Sequence, residues 1–126
     1  MQKNRRAAAA IGLALITALG STSAFAGTVF STYNTTVGNN NGKGYTGYQK
    51  KYASNRAGDL HSRTVGGSYK VDARMLPGGT GISGVTDSSS YKLNNTISRG
   101  DSTRVEFNNG IFTPVDVQVT GTWRSN

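Results

Sequence analysis

Apolar and polar positions alternate along much of the chain. From Val29, one face collects Val29, Ser31, Tyr33, Thr35 and Val37, and the run stops at Gly38-Asn39-Asn40-Asn41-Gly42, a turn-forming cluster. Tyr45, Tyr48 and Tyr52 mark a second, less regular segment. Tyr69, Val71, Ala73 and Met75 alternate with Lys70, Asp72 and Arg74, which predicts a strand that is apolar on one side and charged on the other. Leu76-Pro77-Gly78-Gly79 ends it, because proline cannot donate to a ladder and glycine supplies turn geometry. Tyr91, Leu93, Asn95 and Ile97 follow, then Val105 and Phe107. Asn108-Asn109-Gly110 predicts a hairpin turn of the Asn-Gly type. The last run places Val115, Val117, Val119, Gly121 and Trp123 opposite Asp116, Gln118, Thr120 and Thr122. The spacing predicts about seven or eight short strands in an antiparallel sandwich or small barrel.

The start of the chain is different. Residues 1–26 read as a secretory signal peptide: a basic start (Lys3, Arg5, Arg6), an apolar stretch over 7–20, and Ala24-Phe25-Ala26 as the cleavage site. The apolar stretch falls short of the roughly 20 residues that span a bilayer. Arg5-Arg6 lack the rest of a twin-arginine signal, so the Sec route and cleavage after Ala26 are expected. That leaves residues 27–126 as a secreted all-β domain of 100 residues, carrying eleven of the 14 Lys and Arg and all six acids, a formal charge of +5. Its nine Val, thirteen Thr, six Tyr and fifteen Gly favour strands and turns over helix. Leu, Ile, Val and Phe total only 18 of those residues, close to the composition of disordered chains. The modest charge, the presence of only two prolines and the seven rings of Tyr and Trp argue for a folded core instead. No cysteine is present, so an exported domain of this size has no disulfide to help it, a combination that fits a Gram-positive bacterium.

The catalytic inventory is poor. Without cysteine there is no thiol nucleophile and no thiolate-held zinc. The single histidine, His61, lies in Asp59-Leu60-His61-Ser62, where a strand would send Asp59 and His61 one way and Ser62 the other. Carboxylates are scattered singly, which suits neither a glycosidase pair nor a calcium loop. The expectation is a protein that is not an enzyme and has no metal and no cofactor. Arg99-Gly100-Asp101 is read as a turn, glycine supplying the positive φ. The sequons at Asn34 and Asn94 carry no weight in a bacterial export pathway.

Charge is uneven along the secreted part. No acid occurs from Gly27 until Asp59, while Lys43, Tyr45, Tyr48, Lys50, Lys51, Tyr52 and Arg56 interleave cations with rings. That chemistry suits anionic polymers and membrane headgroups, where cations meet phosphate and rings settle at the interface. The partners it implies are an anionic cell-wall polymer, a lipid-linked wall precursor or a membrane surface. Nucleic acid is not expected of an exported protein, and self-association through strand edges is the other contact such a fold offers.

The plan of an export signal followed at once by Gly27-Thr28, a cysteine-free Tyr/Gly/Ser/Asn-rich chain and an aromatic last strand resembles the lactococcin 972 type of Sec-exported bacteriocin. Tyr52-Ala53-Ser54-Asn55 and His61-Ser62-Arg63-Thr64-Val65 are similar to the corresponding part of that family. The ending Val119-Thr120-Gly121-Thr122-Trp123 resembles small secreted β-proteins of Firmicutes that close in a Val-x-Gly-x-Trp strand. The resemblance implies a compact antiparallel β-sandwich and a bacteriocin-like action on a cell-wall precursor. Val29 stands where that family has an early tryptophan, and no binding residue carries over. The alternative is a structural or adhesive surface protein with no antimicrobial activity.

Overall fold

The computed structural model describes residues 27–126; the expected signal peptide lies outside the described residues. Nine strands follow in order: β1 (Ser31–Val37), β2 (Lys43–Tyr45), β3 (Gln49–Lys50), β4 (Gly58–Val65), β5 (Val71–Leu76), β6 (Ile82–Val85), β7 (Ser89–Leu93), β8 (Ser102–Asn109) and β9 (Val117–Arg124). They form two antiparallel sheets, one of four strands in the order β1-β9-β4-β7 and one of five in the order β2-β8-β5-β6, with β3 also paired to β8. The architecture is a small antiparallel β-sandwich. The count exceeds the expected seven or eight because the tyrosine-rich segment is one broken strand. Thr46 mends the gap, its amide donating to the Val105 carbonyl (3.0 Å) and its Oγ1 accepting from the Val105 amide (2.9 Å).

The sheets meet over a core that follows the alternation. Val71, Ala73 and Met75 point inward from β5 while Asp72 and Arg74 point out, and Val117, Val119, Gly121 and Trp123 point inward from β9. Leu60, Leu93, Val105 and Phe107 complete the centre, with Trp123, Leu60, Leu93 and Phe107 fully buried. Tyr33 on β1 faces Gly121 on β9, and its ring reaches Phe107 of the opposite sheet with centroids 5.0 Å apart. A Cβ at position 121 would lie 2.2 Å from the His61 carbonyl and 2.6 Å from the Tyr33 hydroxyl, so only glycine fits beneath the ring.

The predicted faces extend too far at three ends. Val29, Tyr69 and Val115 continue the pattern in sequence but lie exposed, outside their strands. The Asn-Gly hairpin is not formed. β8 runs on through Asn109, and the chain then crosses to the other sheet rather than pairing back. The reason is the Asn109 side chain, which is buried and donates to the carbonyls of Val37 (3.2 Å), Gly38 (2.8 Å) and Val115 (3.3 Å). It ties three segments together across the sandwich, a role that a two-residue turn could not serve. Among the described residues, β5 and β6 are the one pair of consecutive strands bonded directly to each other; every other step crosses between sheets or, at β2 to β3, continues along β8.

Candidate functional site

The cations and rings chosen from the sequence fall along the β2–β3 edge of the five-stranded sheet and the loop after it. Strand alternation sorts them first. Gln49 and Lys51 turn inward and Lys50 outward, as consecutive residues of an extended chain must. Lys51 is 2 % exposed, and its ammonium donates to the carbonyls of Ser125 (2.9 Å) and Arg56. Burial pushes its pKa down, and the nearby Arg56 charge adds to the shift. Gln49 beside it donates to Ser31 Oγ (2.9 Å) and the Trp123 carbonyl (3.1 Å) and accepts from the Ser125 amide (2.8 Å). These two side chains hold the last residues of the chain against β3. The Lys51 ammonium is therefore an internal tie turned away from solvent, although the residue also contributes to the wall of the cleft described below.

The remaining residues form two groups on the surface. In the first, Tyr45 and Tyr48 flank Arg104, whose guanidinium carbon lies 3.9 Å from the Tyr45 ring centroid and 4.9 Å from that of Tyr48. The Tyr45 hydroxyl donates to Glu106 Oε2 (3.2 Å), and Arg74 Nε donates to Glu106 Oε1 (2.9 Å). Lys43 sits at the far end of this row, lining a hollow of about 280 Å³ with Asp72, Arg74, Glu106 and Asn108. The mixed charge of that hollow, two cations against two carboxylates, gives it no preference for an anion.

In the second group, Lys50 and Tyr52 join Arg99 around an open cleft of about 660 Å³, closed on its other sides by Gly27, Thr28, Val29 and Gly100. Arg99 stands over the Tyr52 ring at 5.9 Å. The Arg99-Gly100-Asp101 turn is held against this segment, the Gly100 amide donating to the Lys51 carbonyl (2.9 Å) and the Lys51 amide to the Asp101 carbonyl (2.9 Å). Gly100 has φ +91, the conformation expected of that turn. Among the residues lining the cleft, the side chains with formal charge are all basic, while the Tyr52 ring and Val29 are exposed beside them. Arg56 lies exposed beyond the cleft, and its backbone carbonyl serves Lys51 and the Asn95 side chain.

Sequence reasoning missed Arg99 and Arg104. For Arg104 the signal was present, since it alternates with the inward Thr103, Val105 and Phe107 and so faces outward. For Arg99 nothing local indicates that its turn returns to Lys51. The Asp59, His61 and Ser62 side chains do not converge. Ser62 is buried toward the core, the His61 ring stacks on Phe30 (centroids 4.5 Å apart), and Asp59 is engaged by Arg124 (2.8 Å), Asn126 (3.0 Å) and Lys92. Comparison with protein-family models, curated proteins and solved structures finds no match.

Proposed function

We propose that the chain is a small exported, non-enzymatic bacterial protein, bacteriocin-like, that binds an anionic component of the Gram-positive cell envelope. The observation that carries this reading is the cleft of about 660 Å³ with Lys50 and Arg99 on its walls and the Tyr52 ring beside Arg99. A phosphate placed there meets two cations and no carboxylate among the lining residues, while the ring and Val29 offer apolar surface to whatever the phosphate is attached to. A phosphate-bearing wall polymer and a lipid-linked wall precursor both have that chemistry. Cleavage after Ala26 adds a third cation, because the new α-ammonium belongs to Gly27, itself a lining residue.

The test is binding of the chain beginning at Gly27 to purified Gram-positive wall preparations. Lys50→Glu with Arg99→Glu is expected to weaken it by about tenfold or more, and raising the salt to about 0.5 M should weaken the native protein in the same way. Unchanged binding in the double variant removes the cleft from the proposal. Growth inhibition of Gram-positive cells then separates an antimicrobial from a passive binder.

A second reading rests on a separate observation. β1 is the outermost strand of its sheet, and Ser-Thr-Tyr-Asn-Thr-Thr-Val contains neither charge nor proline. Edge strands of that composition lack the usual protection against pairing with another copy. A structural or adhesive role through self-assembly follows from it, and ordered assemblies without growth inhibition would favour this alternative.

A further inference from the structure

A second surface lies at the opposite end of the sandwich from the cleft, on the loop between β8 and β9. Phe112 is 90 % exposed, Ile111 is 64 % exposed and Val115 is exposed nearby. The loop that carries them is firmly braced. The amides of Asn40 and Asn41 donate to the carbonyls of Thr113 (2.7 Å) and Gly110 (3.1 Å), and the Thr113 amide closes on Gly110 (3.0 Å). Asp116 Oδ1 accepts from the Asn39 amide (2.9 Å), and buried Asn109 holds the Val115 carbonyl (3.3 Å). Two large apolar side chains are thus held out in water on a scaffold that fixes the backbone beneath them. Among the described residues, almost nothing packs against the Phe112 ring.

We infer that this tip inserts into the interfacial region of a lipid bilayer. Its shape argues against a protein partner. A stable protein interface needs about 800 Å² from each side. An aromatic side chain offers only about 150–250 Å², and the hollows at this end are lined by Lys43, Asp72 and Asn108 or by Tyr69, Lys70 and Asp87, not by Ile111 or Phe112. A bilayer needs no complementary pocket. The surroundings match the depth profile of a headgroup layer. Val71 pairs with Asn109 and Lys43 with Asn108, which brings Tyr69, Lys70 and Lys43 to the same end as the loop. Tyrosine and lysine settle at headgroup level with their apolar parts turned inward. The acids at this end, Asp72, Asp87 and Asp116, offset the lysines, so attachment draws on apolar burial and not on net charge. This inference is independent of the cleft, which lies at the other end of the strands.

The test uses the chain beginning at Gly27, the expected product of cleavage, and co-sedimentation with vesicles of phosphatidylcholine alone or with about one third phosphatidylglycerol. The native protein is expected to bind both. Ile111→Ser with Phe112→Ser should lower binding by about tenfold or more. Salt at about 0.5 M should leave the tip-dependent part unchanged. Lys50→Glu with Arg99→Glu should retain binding to phosphatidylcholine, which keeps failure of the cleft distinct from failure of the tip. The inference is overturned by absence of binding to phosphatidylcholine vesicles, or by equal binding in the serine variant. It is also overturned if light scattering finds a native dimer that the serine variant dissolves, which would make the tip a contact between copies. Both serines replace exposed side chains, and an unchanged melting temperature confirms that the variant is folded.

Discussion

Lys50→Glu and Lys51→Glu are adjacent substitutions of the same kind with opposite expected outcomes. At position 51 the native ammonium is 2 % exposed and donates to the Ser125 and Arg56 carbonyls. Glutamate there brings acceptor oxygens against two acceptors, leaves both carbonyls without a donor and buries an unpaired charge. Stranding a buried charge costs about 3–5 kcal/mol. Total stability for a domain of this size is about 5–15 kcal/mol. At about 4–8 °C per kcal/mol, the melting temperature should fall by at least about 12 °C, and the weaker end of that range leaves the chain unfolded at growth temperature. Lys50 is exposed, and its substitution should change stability by no more than about 0.5 kcal/mol while weakening envelope binding. Thermal unfolding followed by circular dichroism reads both. A Lys51→Glu protein that melts within about 4 °C of the native one refutes the inward placement of this side chain.

Two further predictions concern ionisation. Burial of Asp59 works to raise its pKa, but hydrogen bonds from Lys92, Arg124 and Asn126 prevail and hold it at about 2 against an ordinary 3.8. A depressed carboxyl contributes stability above its unfolded pKa and loses it as pH falls toward the folded one, so the loss falls between pH 3.8 and about 2. Lys92 is 73 % exposed and Arg124 36 %, so solvent screening reduces the contribution to roughly 1–2 kcal/mol. Urea unfolding across that range should show a steeper acid decline in the native protein than in Asp59→Asn, and parallel curves would deny the network this role.

The Tyr33 and Ser62 hydroxyls are buried facing each other with no well-formed hydrogen bond, and burial pushes the tyrosine up to about 12 against the lowering influence of the Ser62 hydroxyl. Tyr33→Phe should therefore cost less than about 1 kcal/mol at neutral pH, since it removes an unsatisfied buried group. Above the ordinary pKa of 10.0, where the unfolded chain ionises and the folded one does not, the native protein should lose stability that the phenylalanine variant keeps. A loss of about 2 kcal/mol or more at neutral pH would mean that the hydroxyl is satisfied after all.

Much of the interior was legible from alternation alone. β5 and β9 bury the faces that their sequences indicate, because a strand with one wet side has a two-residue period with a single sensible register. The strand order was not legible, since pairing between β1 and β9 depends on residues far apart that carry no local mark. The cleft was read in part. Lys50 and Tyr52 were identified, but the same period that reveals a core face also forbids Lys50 and Lys51 from sharing a surface. Asn109 illustrates a further limit. Its local sequence favours a turn, yet the carbonyls of Val37, Gly38 and Val115 claim its amide and extend the strand instead.

The position of β9 governs when the molecule can form. It lies between β1 and β4, and β1 has no other neighbour in its sheet. Without β9, the first strand has no partner in its sheet among the described residues, and Trp123 is missing from the centre of the core. Nearly all pairings join distant segments, the kind of topology that folds slowly. The same wiring makes the closing step cooperative, because β9 completes the four-stranded sheet and brings Trp123 into the core at once.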